Sequence, residues 1–361
     1  MQPLHSPVSF GLIGFGAWGK MHAAAIAATP GAVLRGIVAR SPAARTEARE
    51  LHPTAIICQE PSQLLELQGL EMVSVATPSH SHFDLAAAVL RAGKHLLLEK
   101  PMALSVPDCW QLIGMAKTQG RVLAVGHELR LSSQWGAIRR MITEGVIGTP
   151  QYCLVELSRK PYRLGSGGWR YDDARVGNWI LEEPIHFFDL ARWYLSEHGE
   201  PREVHAHGNS CDPSRPHLHD NFSALLRYDS GAYAVVTQTL AAFEHHQTVK
   251  VTGTKGSIWA TWSGAMDRTR EPVCSMRLRT GEVVQEVPLV RQSGEIFELA
   301  EEMAMCVRCV REGASPIAGG QDGLWSTGLC LAAAESIRRS APVDVQDFIR
   351  RAGGTPAFSA P

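Results

Sequence analysis

Residues 8–22, VSFGLIGFGAWGKMH, decide the fold. A short apolar run, Val8 to Ile13, stops at Gly14-Phe15-Gly16-Ala17-Trp18-Gly19, and the helical pattern WGKMHAAAIAA follows at once. An apolar run of this length, closed by glycine, reads as a strand buried on both faces. The GxGxxG spacing is weak evidence by itself. Between a strand and a helix it gains a mechanism: one glycine permits a tight turn, one lets the backbone approach a pyrophosphate, and one lets helix and strand pack closely. The helix N-terminus then faces the phosphates. The competing reading is a glycine-rich turn that binds nothing.

Working outward, the runs VLRGIVA, AIIC, MVSVAT, HLLLE and VLAVG repeat the strand pattern, with SHFDLAAAVLRAG and VPDCWQLIGMAKTQG as helices between them. Strands alternating with helices predict an α/β, doubly wound parallel sheet, a Rossmann domain over residues 1–127. Beyond it the rhythm changes. A helix (SQWGAIRRMITEG) leads to a strand near 150–158, then to a Gly/Arg/Tyr-rich loop over 160–178. From 202 to 290 long alternating runs carry the hairpin signals YDSGAY, TGTKGS and RTGEVV. Two helices are expected near 294–312 and 322–339, and the tail GGTPAFSAP is expected to be disordered. Residues 128–361 are therefore expected to form an α+β domain with a large, mostly antiparallel open sheet, serving substrate binding and oligomerisation.

The composition excludes several classes. A net charge of −1 gives no bulk attraction to nucleic acid or anionic lipid. No apolar stretch approaches the roughly 20 residues needed to span a bilayer. The start, MQPLHSPVSF, lacks the basic and long apolar regions of a signal peptide, so the expected location is the cytoplasm. Cys306 and Cys309 form a CxxC within FELAEEMAMCVRCVREG, but no second pair completes a zinc site, and the cysteines read as structural.

Three further stretches carry candidate chemistry. Where an NAD-binding domain usually presents an acid to the ribose, at the end of the second strand, the sequence is IVARSPAAR. Arg40 and Ser41 stand there, and an arginine can pair with a 2′-phosphate, so the cofactor is expected to be NADP or NAD, leaning to NADP. ATPSHSH (76–82) and LLLEKPM (96–102) end the fourth and fifth strands, at the sheet edge where a dinucleotide crosses. They add Thr77, Pro78, His82, Glu99 and Lys100 to the cofactor candidates Gly14 to Gly19. A lysine directly after a buried strand is desolvated, which eases loss of its proton. A cis bond at Pro101 would aim it. Finally, ILEEPIHFFDLARW (180–193) sets Glu182, Glu183 and His186 in an apolar run. Pro184 suits a first helical turn, and acids near that end favour the helix dipole. On the bland reading His186 is a hydrogen-bonded core residue.

Gly14-x-Gly16-x-x-Gly19 with His22, TPSHSH, Glu99-Lys100-Pro101 and the GWR…HFFDL block together resemble the glucose–fructose oxidoreductase/inositol dehydrogenase/rhizopine-catabolism (Gfo/Idh/MocA) family, over residues 8 to about 340. The resemblance implies an NAD(P)-dependent oxidoreductase acting on a secondary hydroxyl or carbonyl of a sugar, cyclitol or polyol-derived substrate. It implies Lys100 and His186 as catalytic residues, and a homodimer or homotetramer assembled through the C-terminal sheet. The family's second block usually reads Asp, three residues, then His, with small residues between. In this chain the Asp position falls on Glu182, the His on His186 and the usual small residue on Pro184. The carboxylate is kept on a longer arm, as the orienter of the imidazole. Asp189, three residues beyond His186, is the competing orienter.

Other candidates are weaker. Trp169, Arg170 and Tyr171 suit a sugar ring, and His127, Glu128 and Arg130 follow the sixth strand. His245 and His246 end a strand. The substrate set is thus Lys100, His127, Trp169, Arg170, Glu183, His186 and His245. The cluster HAHGNSCDPSRPHLHD (His205, His207, Cys211, His217, His219, Asp220) has the alternation of metal ligands, but it flanks a Pro/Ser loop, and no metal is expected. Two rival functions are a redox-neutral glycoside-cleaving enzyme that keeps its NAD bound, and a nucleotide-binding regulator. The second needs neither Lys100 nor His186.

Overall fold

Parallel strands buried between helices read as apolar runs, and the inner strands of the first sheet do so. The strands are β1 (Val8–Ile13), β2 (Ala32–Val38), β3 (Ile56–Cys58), β4 (Met72–Val75), β5 (His95–Leu98) and β6 (Leu123–Val125), with β2 and β3 partly exposed at Val33, Arg35 and Ile56. Every residue of β1 and β4 is buried. The computed structural model describes residues 6–240 and 242–352. The tail GGTPAFSAP, expected to be disordered, lies outside the described residues.

The six strands pair in parallel in the order β3-β2-β1-β4-β5-β6, the doubly wound order. Register aligns their carboxyl ends, since Ile13 pairs with Val38 and Val75, and Leu98 with Val75 and Val125. Gly14, Ala39, Ala76, Glu99 and Gly126 therefore follow along one edge. Helices α1 (Ala17–Ala28), α2 (Pro42–Leu51), α3 (Pro61–Leu65), α4 (His82–Arg91) and α5 (Val106–Gln119) make the connections.

The chain divides into two compact units, residues 1–104, 108–128 and 298–324 in one, and 105–107, 129–297 and 325–361 in the other. This amends the expected domain plan, which placed 298–324 in the second domain. The cause is burial. Leu299, Met303, Cys306 and Cys309 share a core with Phe10, Leu12, Ile26 and Ile37 of the Rossmann sheet and its first helix. Arg311 adds a double contact to Glu71 at 2.6 and 2.7 Å.

In the second unit, α6 (Trp135–Thr143) precedes β7 (Pro150–Arg159), and after α7 (Asp173–Val176) and α8 (Pro184–Tyr194) come β8 (Glu203–Asn209), β9 (Asn221–Arg227), β10 (Tyr233–Thr239), β11 (His245–Gly253), β12 (Gly256–Gly264), β13 (Val273–Thr280) and β14 (Val283–Glu286). Helices α9 (Glu295–Glu312) and α10 (Gly320–Arg339) follow, then β15 (Val343–Asp344) and α11 (Val345–Ala352). The sheet order is β14-β13-β12-β11-β7-β10-β9-β8-β15. Two meanders thus flank β7, which makes its pairing with β10 parallel while its pairing with β11 is antiparallel. The alternation along β7 puts Cys153, Val155 and Leu157 inward, under α8. The other parity stays open and carries Leu225, Tyr233 and Trp259 as exposed apolar side chains.

Candidate active site residues

The glycine turn separates structural from permissive glycines. Gly14 has φ of 104°, and a Cβ there would stand 2.4 Å from the carbonyl oxygen of Ala76. A Cβ on Gly19 would stand 2.0 Å from the carbonyl oxygen of Gly14. Both glycines are demanded by packing of the turn itself. Gly16 is different: a Cβ there would meet nothing within 4 Å. It is the N-cap of α1, which has no side-chain cap, so open space lies over an uncapped helix start. That is the arrangement a pyrophosphate needs. Gly16→Ala should therefore melt within about 2 °C of the parent, yet bind a nicotinamide dinucleotide about tenfold or more weakly. Melting curves and a fluorescence titration check this, and unchanged binding would count against the turn as the phosphate cradle.

Next along the edge, Glu99 is 5% exposed and ringed by donors. Trp18 Nε1 donates to Glu99 Oε1 at 2.7 Å, His22 Nε2 lies 2.8 Å from the same oxygen, and the Lys100 amide donates to Oε2 at 3.3 Å. Burial alone would raise this carboxyl, but the contacts with His22, the positive charge of Lys100 and the Trp18 hydrogen bond outweigh it and hold it at about 2. The other nitrogen of His22, Nδ1, lies 2.9 Å from Ser74 Oγ on β4. His82 ties the two carboxyl-edge loops together, with Nδ1 at 2.7 Å from the carbonyl of Pro101 and Nε2 at 2.8 Å from that of Thr77. The Lys100–Pro101 peptide bond is cis. At the end of β2 no carboxylate follows, and Arg40 is exposed. Ser41, read as a cofactor contact, caps α2 by accepting from the Ala44 amide at 3.2 Å.

In the second unit α8 begins with Pro184 at its first turn, as expected, and His186 is buried on it. The acids before it do not cap the helix. Glu183 turns instead to Arg159 on β7, forming a buried ion pair, and His245 Nε2 lies 3.1 Å from its other oxygen. Burial opposes the Arg159 charge, but Glu183, with Tyr162 and Asp267 adding, raises its proton affinity. The Arg159 guanidinium also lies over the Tyr162 ring at 4.5 Å. Glu182 accepts from Arg170 Nε. Asp189 takes both arms of Arg130, each at 2.7 Å, and Arg130 lies over the Trp193 ring at 5.1 Å. Trp169 is buried in a cluster with Tyr162, Val176, Trp179, Leu218 and Leu240, with the Arg170 guanidinium 4.6 Å above its ring. His127 is buried directly after β6.

Three residues, Arg159, Glu302 and Asp267, were missed in the sequence. Arg159 was legible, because it continues the inward parity of Cys153, Val155 and Leu157. Glu302, which offers a ligand atom within 4.8 Å of His22 and Glu99, sits on the apolar stripe of α9. Asp267 gave no signal. In the HAHGNSCDPSRPHLHD stretch the His205 and His207 rings lie 4.9 Å apart.

Residues 8–127 match the model of an oxidoreductase family with an NAD-binding Rossmann fold, GFO_IDH_MocA, and residues 135–259 match the GFO/IDH/MocA C-terminal domain. The chain belongs to the Gfo/Idh/MocA oxidoreductase family. It is 29% identical over 279 residues to a 1,5-anhydro-D-fructose reductase of Ensifer adhaerens, covering 76% of this chain and 80% of that one. It is 26% identical over 344 residues to a myo-inositol 2-dehydrogenase of Thermotoga maritima, covering 94% of this chain and 99% of that one. The crystal structure of an aldose-aldose oxidoreductase from Caulobacter crescentus, in complex with glycerol, shares the fold with a TM-score of 0.80 at 22% identity, over 94% of this chain and 99% of that one.

Proposed function

We propose that the protein transfers a hydride between a nicotinamide dinucleotide and a secondary hydroxyl or carbonyl of a sugar, cyclitol or polyol-derived substrate. The observation that carries this reading is Lys100. It leaves a buried parallel strand at the dinucleotide edge, beside a carboxylate that donors hold ionised. The kinship with a reductase and a dehydrogenase acting on such carbohydrates supports the substrate class.

The turn Gly14 to Gly19 would hold the pyrophosphate, with Thr77, Pro78 and His82 from the neighbouring loop as further contacts. A bound nicotinamide supplies the hydride acceptor or donor. Lys100 would hydrogen-bond the reacting oxygen and steady its developing charge. His186 would take the hydroxyl proton as general base. Glu182, held by Arg170, is the carboxylate proposed to orient the imidazole, with Asp189, held by Arg130, as its competitor. His127, Trp169, Arg170, Glu183 and His245 are the proposed substrate-side residues. Among them, the Arg159 pairing gives Glu183 a supporting role rather than a direct one. With Arg40 where a ribose-binding acid would stand, NADP(H) should bind at least as well as NAD(H). The open face bearing Tyr233 and Trp259, the latter 54% exposed, is the proposed surface for a homodimer or homotetramer. A monomer in sedimentation at working concentration would refute that assembly.

The deciding experiment is a panel of sugars and inositols with NAD⁺ and NADP⁺, followed by nicotinamide absorbance. Turnover of a member with net reduction is expected. Product formation with a tightly held cofactor and no net absorbance change would replace this reading by redox-neutral glycoside cleavage.

A further inference from the structure

We propose that Glu302 is a positioning residue for Lys100: a buried carboxylic acid that keeps its proton and faces the Glu99 carboxylate, so that one negative charge, not two, stands beside the lysine. The role in Lys100 chemistry rests on the proposed function. The protonation of Glu302 does not.

The geometry is asymmetric. Glu302 is 1% exposed, and its Oε2 has no hydrogen-bond partner among the described residues. Atoms of His22, Glu99 and Glu302 lie within 4.8 Å of one another. Yet the donors all converge on Glu99: Trp18 Nε1, the Lys100 amide and the His22 ring. Two desolvated carboxyl groups at this separation cannot both ionise without a large cost, and the charge settles where the donors are. Burial first, and the negative charge of Glu99 second, push the Glu302 carboxyl well above its ordinary range. The groups facing it are His22 from α1, Glu99 from the turn after β5, and Cys306 one turn along α9, while the charge of Lys100 acts on Glu99. A bound cation is the competing occupant of this cluster. It is disfavoured because both His22 nitrogens are engaged, Nδ1 with Ser74 and Nε2 with Glu99.

The consequence is electrostatic. An ionised Glu302 would add a second negative charge near Lys100 and raise the lysine's affinity for its proton, opposing exchange with a substrate oxygen. Kept neutral, Glu302 supplies bulk and polarity without that charge.

Glu302→Gln, in the full chain, imitates the protonated acid and cannot ionise. The linkage has a definite sign. A carboxyl raised in the folded state contributes its full stability below the unfolded value of 4.5, and that contribution is lost as pH rises toward the folded value. The variant escapes this loss. Its melting temperature should gain on the parent's by about 2 °C or more between pH 5 and pH 8. Infrared difference spectra of parent minus variant at pH 7 should show the carbonyl stretch of a protonated carboxylic acid. At pH values high enough to ionise Glu302 in the parent, the high-pH arm of the kcat profile should lie at lower pH in the variant, where no second charge can form, while at lower pH the two profiles should coincide. A carboxylate band in the difference spectrum, or a variant less stable than the parent at pH 8, would overturn the protonated acid. Parent-specific stabilisation by Mg²⁺ or Zn²⁺, reversed by a chelator, would overturn it in favour of a cation site. An unmoved kcat profile would overturn the link to Lys100. If no substrate is turned over by either protein, the functional reading fails while the melting and infrared results still decide the state of Glu302.

Discussion

Lys100→Ala should lower kcat by about 10²-fold or more and leave dinucleotide affinity within about twofold. The split follows from where the lysine stands. Its strand is anchored by Leu96, Leu97 and Leu98, all fully buried, so truncating the side chain beyond them leaves the sheet edge in place. The glycine turn that would hold the phosphates is fixed by its own packing on Ala76 and does not use the lysine. What the substitution removes is the ammonium beside Glu99. That charge is one of the causes that keep Glu99 ionised, so the carboxylate loses part of its support as well. The loss should fall on the step in which the substrate oxygen gains or loses charge, and therefore on kcat. Near-normal turnover in the variant would remove Lys100 from the chemistry. Acid should mimic part of the effect. A carboxyl depressed from 4.5 to about 2 contributes stability that is present above the unfolded value and lost as pH falls toward the folded one. The Glu99 cluster should thus hold through mildly acidic pH and fail only in strong acid.

The parts of the fold that were legible obey short-range rules. A glycine turn after a doubly buried strand has few alternatives, and the alternation of β7 to β13 matches the pleat residue by residue. What escaped was long-range. The expectation that residues 298–324 belong to the second domain failed because a helix's apolar stripe shows that it packs, not against which sheet. Leu299, Met303 and Cys306 would have suited either. The parallel pairing of β7 with β10 is likewise a matter of strand order, which two meanders around one strand leave unwritten in any local pattern. Charged residues at apolar parity were a readable signal. Arg159 closes an inward row on β7, and Glu302 interrupts the stripe of α9, so each announces a buried partner without naming it. Glu183 had two candidate uses in the sequence, the helix dipole and the substrate. Its pairing with Arg159 spans 24 residues, and neither local use foretells it.

That pairing sets a large stability effect in the second unit. Glu183→Gln should lower stability by about 3–5 kcal/mol, or a melting temperature lower by about 6 °C or more, because it leaves the buried Arg159 cation without its carboxylate. Asp267, 3.8 Å from Arg159, can soften the loss but is too distant to replace a direct contact. His245, buried against the other oxygen of Glu183, loses its carboxylate too. The neighbouring acid behaves differently. Glu182 pairs with an Arg170 side chain that is 25% exposed, so solvent screens the pair, and Glu182→Gln should cost about 1 kcal/mol or less. Two adjacent glutamates, changed in the same way, should therefore separate cleanly: one through melting temperature, the other through the pH dependence of turnover if it orients His186. The double variant Arg159→Met, Glu183→Leu sharpens the reading. Removing both charges at once removes the unpaired ion, and most of the single-variant loss should return. If the double variant is as unstable as Glu183→Gln alone, the loss comes from packing around α8 and not from the stranded charge. If Glu183→Gln melts with the parent, Arg159 does not depend on Glu183, and the carboxylate is free to serve the substrate after all.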